Sequence, residues 1–131
     1  MTWGSEVRLG LVSFEASVER GRVVHKASII PMDNAVFALF YEGSMKVGTV
    51  AVSTVGLRDG STGTSSVLLG GKYLVASRAL AEKVAASFNK MGIVSLNTHL
   101  MEGEALRLYS SLLDEARQLG PVGPKETGSK G

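Results

Sequence analysis

The run Ala35-Val36-Phe37-Ala38-Leu39-Phe40-Tyr41 constrains this chain more than any other stretch. Side chains of a strand point alternately to opposite faces of its sheet. The odd set is Ala35, Phe37, Leu39 and Tyr41, and the even set is Val36, Ala38 and Phe40. Both sets are apolar, so both faces of this strand need cover. The segment after it repeats the pattern more weakly, with Val47, Thr49, Ala51 and Val55 against Gly48, Val50 and Val52. Helical spacing occurs in only two places. Ala76, Leu80, Val84 and Phe88 share one stripe of a helix over 74–88, and Ala105, Leu108, Tyr109, Leu112, Leu113, Ala116 and Leu119 form a broad stripe over 104–119.

Six strands are predicted: 6–18 with a bend near Gly10, then 23–30, 35–41, 45–54, 65–69 and 93–100. Glu19-Arg20-Gly21-Arg22 and Glu42-Gly43-Ser44 read as turns, as does the stretch from Pro31 to Asn34. Three short connections in succession predict an antiparallel meander for the first four strands. Asn89 and Gly92 both tolerate left-handed backbone, so either can end the first helix. The predicted class is therefore α+β: a single six-stranded antiparallel sheet with two helices on one face.

Two helices shield one face of such a sheet. A face left to water should be polar, and the third strand denies this. Large apolar patches on soluble proteins mark interfaces, which predicts dimerisation sheet to sheet across a two-fold axis. The alternative is that amino-terminal residues or the long loop cover the second face. Sequence does not fix the hairpin registers, so the parity facing the partner stays open. The even set is taken as the expected dimer interface: Val36, Ala38 and Phe40, with Val50 and Val52 from the next strand.

The 131 residues suit one domain, expected over 1–119 with a disordered tail over 120–131. There is no cysteine, which removes disulfides, thiolate metal sites and cysteine nucleophiles. The net charge of +2 comes from interleaved bases and acids, with no nucleic-acid footprint. No apolar run reaches the length of a membrane span, and the first residues lack the pattern of a signal peptide. A cytoplasmic location is expected.

Candidate chemistry is thin. Gly56 to Gly63 is glycine-rich, and Gly70-Gly71-Lys72-Tyr73 carries a lysine, but neither has the spacing and hydroxyl of a phosphate loop. His25 and His99 are the only histidines, and read as a satisfied and a surface side chain. No Gly-x-Ser-x-Gly elbow is present. Glu15, Glu19, Glu102 and Glu104 read as solvated charges or helix-end partners. No catalytic, cofactor or metal site is predicted. The charged tip of the long loop suits recognition instead, and Leu57, Arg58, Asp59, Ser61 and Thr62 are the expected partner-binding residues.

Leu80-Ala81-Glu82-Lys83-Val84-Ala85, then Asn89-Lys90, then Val94-Ser95-Leu96-Asn97, resemble the proteasome assembly chaperones of types three and four, more the latter. Val67-Leu68-Leu69-Gly70 occupies the family's Leu-Leu-Gly step before its helix, and Gly48-Thr49-Val50-Ala51-Val52-Ser53 fits a strand in order. The resemblance spans about 23–119 and is most specific over 68–97. It implies two such domains paired, holding α subunits while the 20S α ring forms. It also implies an archaeal-like homodimer, or a pair with a paralogue. The loop over 56–63 departs from the family in composition, and the end Gly128-Ser129-Lys130-Gly131 lacks a hydrophobic–Tyr–any ending for insertion into the α ring. The expected function is a non-enzymatic assembly chaperone that binds proteasome α subunits. The alternative is a generic dimerisation scaffold of the roadblock or longin kind. Those folds place a helix between early strands, and no helical period precedes Leu74 here.

Overall fold

The computed structural model describes residues 12–56 and 62–123. The strands are β1 (Phe14–Arg20), β2 (Val23–Pro31), β3 (Ala35–Glu42), β4 (Thr49–Val55), β5 (Thr62–Leu69) and β6 (Met91–Asn97). The helices are α1 (Leu74–Phe88), between β5 and β6, and α2 (Glu102–Leu119), after β6. They form one six-stranded sheet in the order β1-β2-β3-β6-β4-β5. The bend expected at Gly10 lies outside the described residues.

The sheet is mixed, which corrects the antiparallel meander. β1–β2 and β2–β3 are hairpin neighbours, but β4 does not pair with β3. β6 lies between them, parallel to β3 and antiparallel to β4. Residues 43–48 form no strand and carry the chain one lane further over. α1 is the crossover that brings the chain back to the vacant lane, as a parallel connection requires. The centre of a sheet suits a strand buried on both faces, and Gly92, Val94, Ser95 and Leu96 of β6 are all buried.

Register assigns the two faces. The rows Ile29–Ala38–Val94–Ala51–Val67 and Ala27–Phe40–Leu96–Thr49 run across the sheet on the helix side. Leu80 and Val84 of α1 and Tyr109, Leu112 and Leu113 of α2 close over them in the main core. The ring of Tyr109 meets that of Phe40 edge to face, with centroids 5.8 Å apart. Val36, Ala38 and Phe40, the β3 members of the expected interface set, are thus fully buried core beneath the helices. On β3 the parity is the reverse of the one taken from sequence.

Neither helix begins with a side-chain cap of its own. Tyr73, at φ +58°, turns the chain into α1. Glu102, in the first turn of α2, caps α1 instead: its Oε2 accepts the Val75 N–H at 2.7 Å and the Ala76 N–H at 2.8 Å. One carboxylate therefore satisfies two orphan donors of the neighbouring helix. Lys83 of α1 reaches Asp114 of α2 at 2.9 Å and donates to the Ser110 carbonyl at 3.1 Å. Asn89 ends α1 at φ +55°, one of the two stops expected. Beyond Gly120 the chain packs at one point the tail assignment missed, where Ser13 and Val122 exchange backbone hydrogen bonds of 3.0 and 2.6 Å.

α1 sits directly on β6. A Cβ on Gly92 would lie 2.8 Å from the Ala81 carbonyl oxygen and 3.0 Å from the Ala85 nitrogen, both backbone atoms that cannot swing aside. Gly92→Ala should push α1 off the sheet and lower stability by about 1–3 kcal/mol. Urea unfolding checks this; an unchanged midpoint would contradict the seating.

Candidate functional site

The face away from the helices carries the rows Ile30–Phe37–Ile93–Val52–Ser66 and Ser28–Leu39–Ser95–Val50–Leu69. A third row, Ser17–Lys26–Tyr41–Asn97, is polar except at Tyr41. The apolar odd set of β3 is therefore real, but β2 and β6 set serine, lysine and asparagine beside it. Val50 and Val52 lie on this face, as expected, and Phe37 and Ile93 join them where Val36, Ala38 and Phe40 do not. Ala35, Leu39 and Tyr41 are already buried within the single chain, whereas Phe37, Ile93, Val50 and Val52 are half-buried. The segments 1–11 and 57–61, named above as alternative cover, lie outside the described residues.

The expected partner-binding residues Leu57, Arg58, Asp59 and Ser61 also lie outside the described residues, and Thr62 is the first residue of β5. The strand ends flanking that loop, Val55 and Thr62, face each other across β4 and β5. Leu69 closes β5 at the opposite end of the sheet.

A polar cluster that the sequence did not single out occupies that opposite end. Glu42, the last residue of β3, receives hydrogen bonds from Thr98 Oγ1 at 2.5 Å and the His99 N–H at 2.9 Å. His99 Nδ1 stands 3.0 Å from its second oxygen, and His25 Nδ1 is 3.8 Å from the first. His25 is buried and hydrogen bonded through Nδ1 to the Tyr109 hydroxyl at 2.8 Å. The two histidines, unrelated in sequence, thus flank one carboxylate. The hint available was Glu42 itself, a charge ending an apolar strand, and Tyr109, the one hydroxyl on the buried stripe of α2.

Burial would raise the pKa of Glu42, but the hydrogen bonds from Thr98 and His99, with the nearby His25 ring, outweigh it and bring the value down to about 2. Burial pushes the Tyr109 hydroxyl up to about 12, so it stays protonated. An open cavity of about 380 Å³ beside the cluster is lined by Arg20, His25, Glu42, His99, Leu100 and Leu108. Glu42, Thr98 Oγ1, the Tyr109 hydroxyl and the Nδ1 atoms of both histidines engage one another. They join the end of β3 to the segment after β6 and fasten both beneath α2. Among the described residues, no group of three or more His, Asp or Glu is arranged to hold a metal ion. No described helix is long and apolar enough to cross a membrane.

A carboxylate held below its ordinary pKa stabilises the fold while ionised. Glu42 should contribute fully above about pH 4.5, and that contribution should fade as pH falls toward 2. Glu42→Gln should lower the melting temperature at pH 7 and flatten its decline between about pH 4.5 and 2. Thermal unfolding across that range checks this; parallel acid limbs for both proteins would contradict the role given to Glu42.

No family model matches the chain, and no curated protein matches it in sequence. By fold it is similar to a solved chain from a novel chaperone complex for yeast 20S proteasome assembly. The two share 14% sequence identity and a TM-score of 0.54, over 82% of this chain and 94% of that one. At that identity the likeness is one of fold.

Proposed function

We propose that this chain is a non-enzymatic assembly chaperone that binds proteasome α subunits and promotes 20S α-ring formation, acting as a dimer in the cytoplasm. The observation that carries the proposal is the fold likeness, which extends over nearly the whole of a chain from a chaperone complex for proteasome assembly. It agrees with the independent resemblance of residues 68–97.

Pairing would use the helix-free face. The row Phe37–Ile93–Val52 is apolar across three adjacent central strands and remains partly open. Stacking two copies there would give the layers helix, sheet, sheet, helix. A stable pair needs roughly 800 Å² buried on each partner. A paralogue with the same fold could replace one copy. Both described helices follow β5, and among the described residues no helix lies between the early strands, where the roadblock and longin scaffolds place one.

The test is to mix the purified chain with proteasome α subunits from its own source and size the products by light scattering. The chain alone should run as a dimer and move to a heavier species with α subunits. Separate elution would contradict the chaperone reading. A monomer in both runs would contradict pairing.

A further inference from the structure

Exposed large apolar side chains are concentrated at one end of the molecule. Of the eleven among the described residues, eight lie at the end where β3, β5 and β6 finish, Val23 at the start of β2 and seven nearer the starts of the two helices. Met45 and Val47 precede β4, at 56% and 63% exposure. Leu68 and Leu69 close the edge strand β5, and Leu68 is the extra residue of a bulge, since Val50 pairs with Leu69 and Ala51 with Val67. Leu74 and Val75 open α1, and Met101 stands 78% exposed just before α2.

Hydrogen bonds hold these segments together as one surface. Gly48 donates to Ser95 Oγ at 2.9 Å, and Thr49 Oγ1 donates to the Lys72 carbonyl at 2.7 Å. The Tyr73 hydroxyl lies 2.8 and 2.7 Å from the Thr98 and Leu100 carbonyls. Glu102 ties the segment holding Met101 to the first turn of α1. A shallow cavity of about 250 Å³ opens among Gly48, Gly71, Lys72, Tyr73 and Asn97. The patch is therefore built on a fixed framework.

Its border is basic. Lys46, Lys72 and Arg78 are exposed around it. The nearby carboxylates stay ionised but are half-buried and turned to partners within the chain, Glu102 to the start of α1, Glu82 to Ser65 and Glu42 to Thr98 and His99, so the exposed charges of the border are the three cations. Glu104 is half-buried and lines the cavity beside His25. We infer that this end is a docking surface for a segment of a partner protein that presents apolar side chains flanked by Asp or Glu. A second copy is a poor occupant, because it would set the same three cations against themselves. The chaperone reading supplies the identity of the partner, the α subunit; the surface and its chemistry stand without it.

The test uses the full chain and two probes. One is a fluorescent helical peptide of about 18 residues, or five turns, with leucine on one face and glutamate on the other. The second is the α subunit. Variants are Val75→Asp with Met101→Asp, and Lys46→Glu with Lys72→Glu. All four positions are exposed, so the fold should persist, and an unchanged circular dichroism spectrum checks this. Both variants should bind the peptide about tenfold more weakly or worse, salt should weaken the wild-type complex, and a lysine-faced peptide should not bind. Equal binding of the two peptides, or wild-type affinity in both variants, overturns the inference. Capture of α subunits by the variants as well as by wild type also overturns it, while leaving the chaperone reading intact. If the glutamate peptide binds as described but no α subunit does, the inference stands and the chaperone reading fails.

Discussion

The seating of β6 between β3 and β4 governs the rest of this structure. α1 delivers it, and Gly92 lets backbone lie on backbone at the crossing. Once β6 is in place, register carries its alternation to both neighbours. Gly92, Val94 and Leu96 go under the helices with Val36, Ala38 and Phe40, and Ile93 goes to the other side with Phe37 and Val52. A one-residue slip at β6 would invert both faces. The core, the polar cluster at the end of β3 and the open row on the second face are consequences of one placement.

Local features of the sequence were legible where a local force decides them. The stripes on α1 and α2 follow from helical period, the stop at Asn89 from its left-handed backbone, and the first hairpin from Gly21 at φ +64°. Strand order was not legible. Short connections favour neighbouring strands, and residues 43–48 are few enough to suggest a hairpin, yet they skip a lane. Face parity was lost with it, because an all-apolar strand such as β3 gives no preference of its own. The buried cluster escaped because its members, His25, Glu42, Thr98 and Tyr109, are distant in sequence and meet only through topology. Glu102 shows the same limit: its place in the sequence suggests a solvated charge or a helix-end partner, and only the fold reveals that the helix end it serves is that of its neighbour.

His25 and Glu42 are held in hydrogen bonds that fasten strand ends beneath α2. What remains open is apolar surface of two kinds. The helix-free row Phe37–Ile93–Val52 is apolar and half-buried, the kind of surface a sheet-to-sheet stack covers. The end formed by the helix starts is basic at its border and suits an unlike partner. In the reading proposed above, the chain would pair with its own kind through one surface and hold a client through the other.

The most direct test of the two-faced sheet uses single cysteines, because the chain has none of its own. Val52→Cys lies on the helix-free face, and Ala86→Cys on the exposed side of α1. With a short bis-maleimide at micromolar protein, Val52→Cys should link into covalent dimers and Ala86→Cys should stay single. Linkage through Ala86→Cys alone, or through neither, would contradict pairing across the sheet.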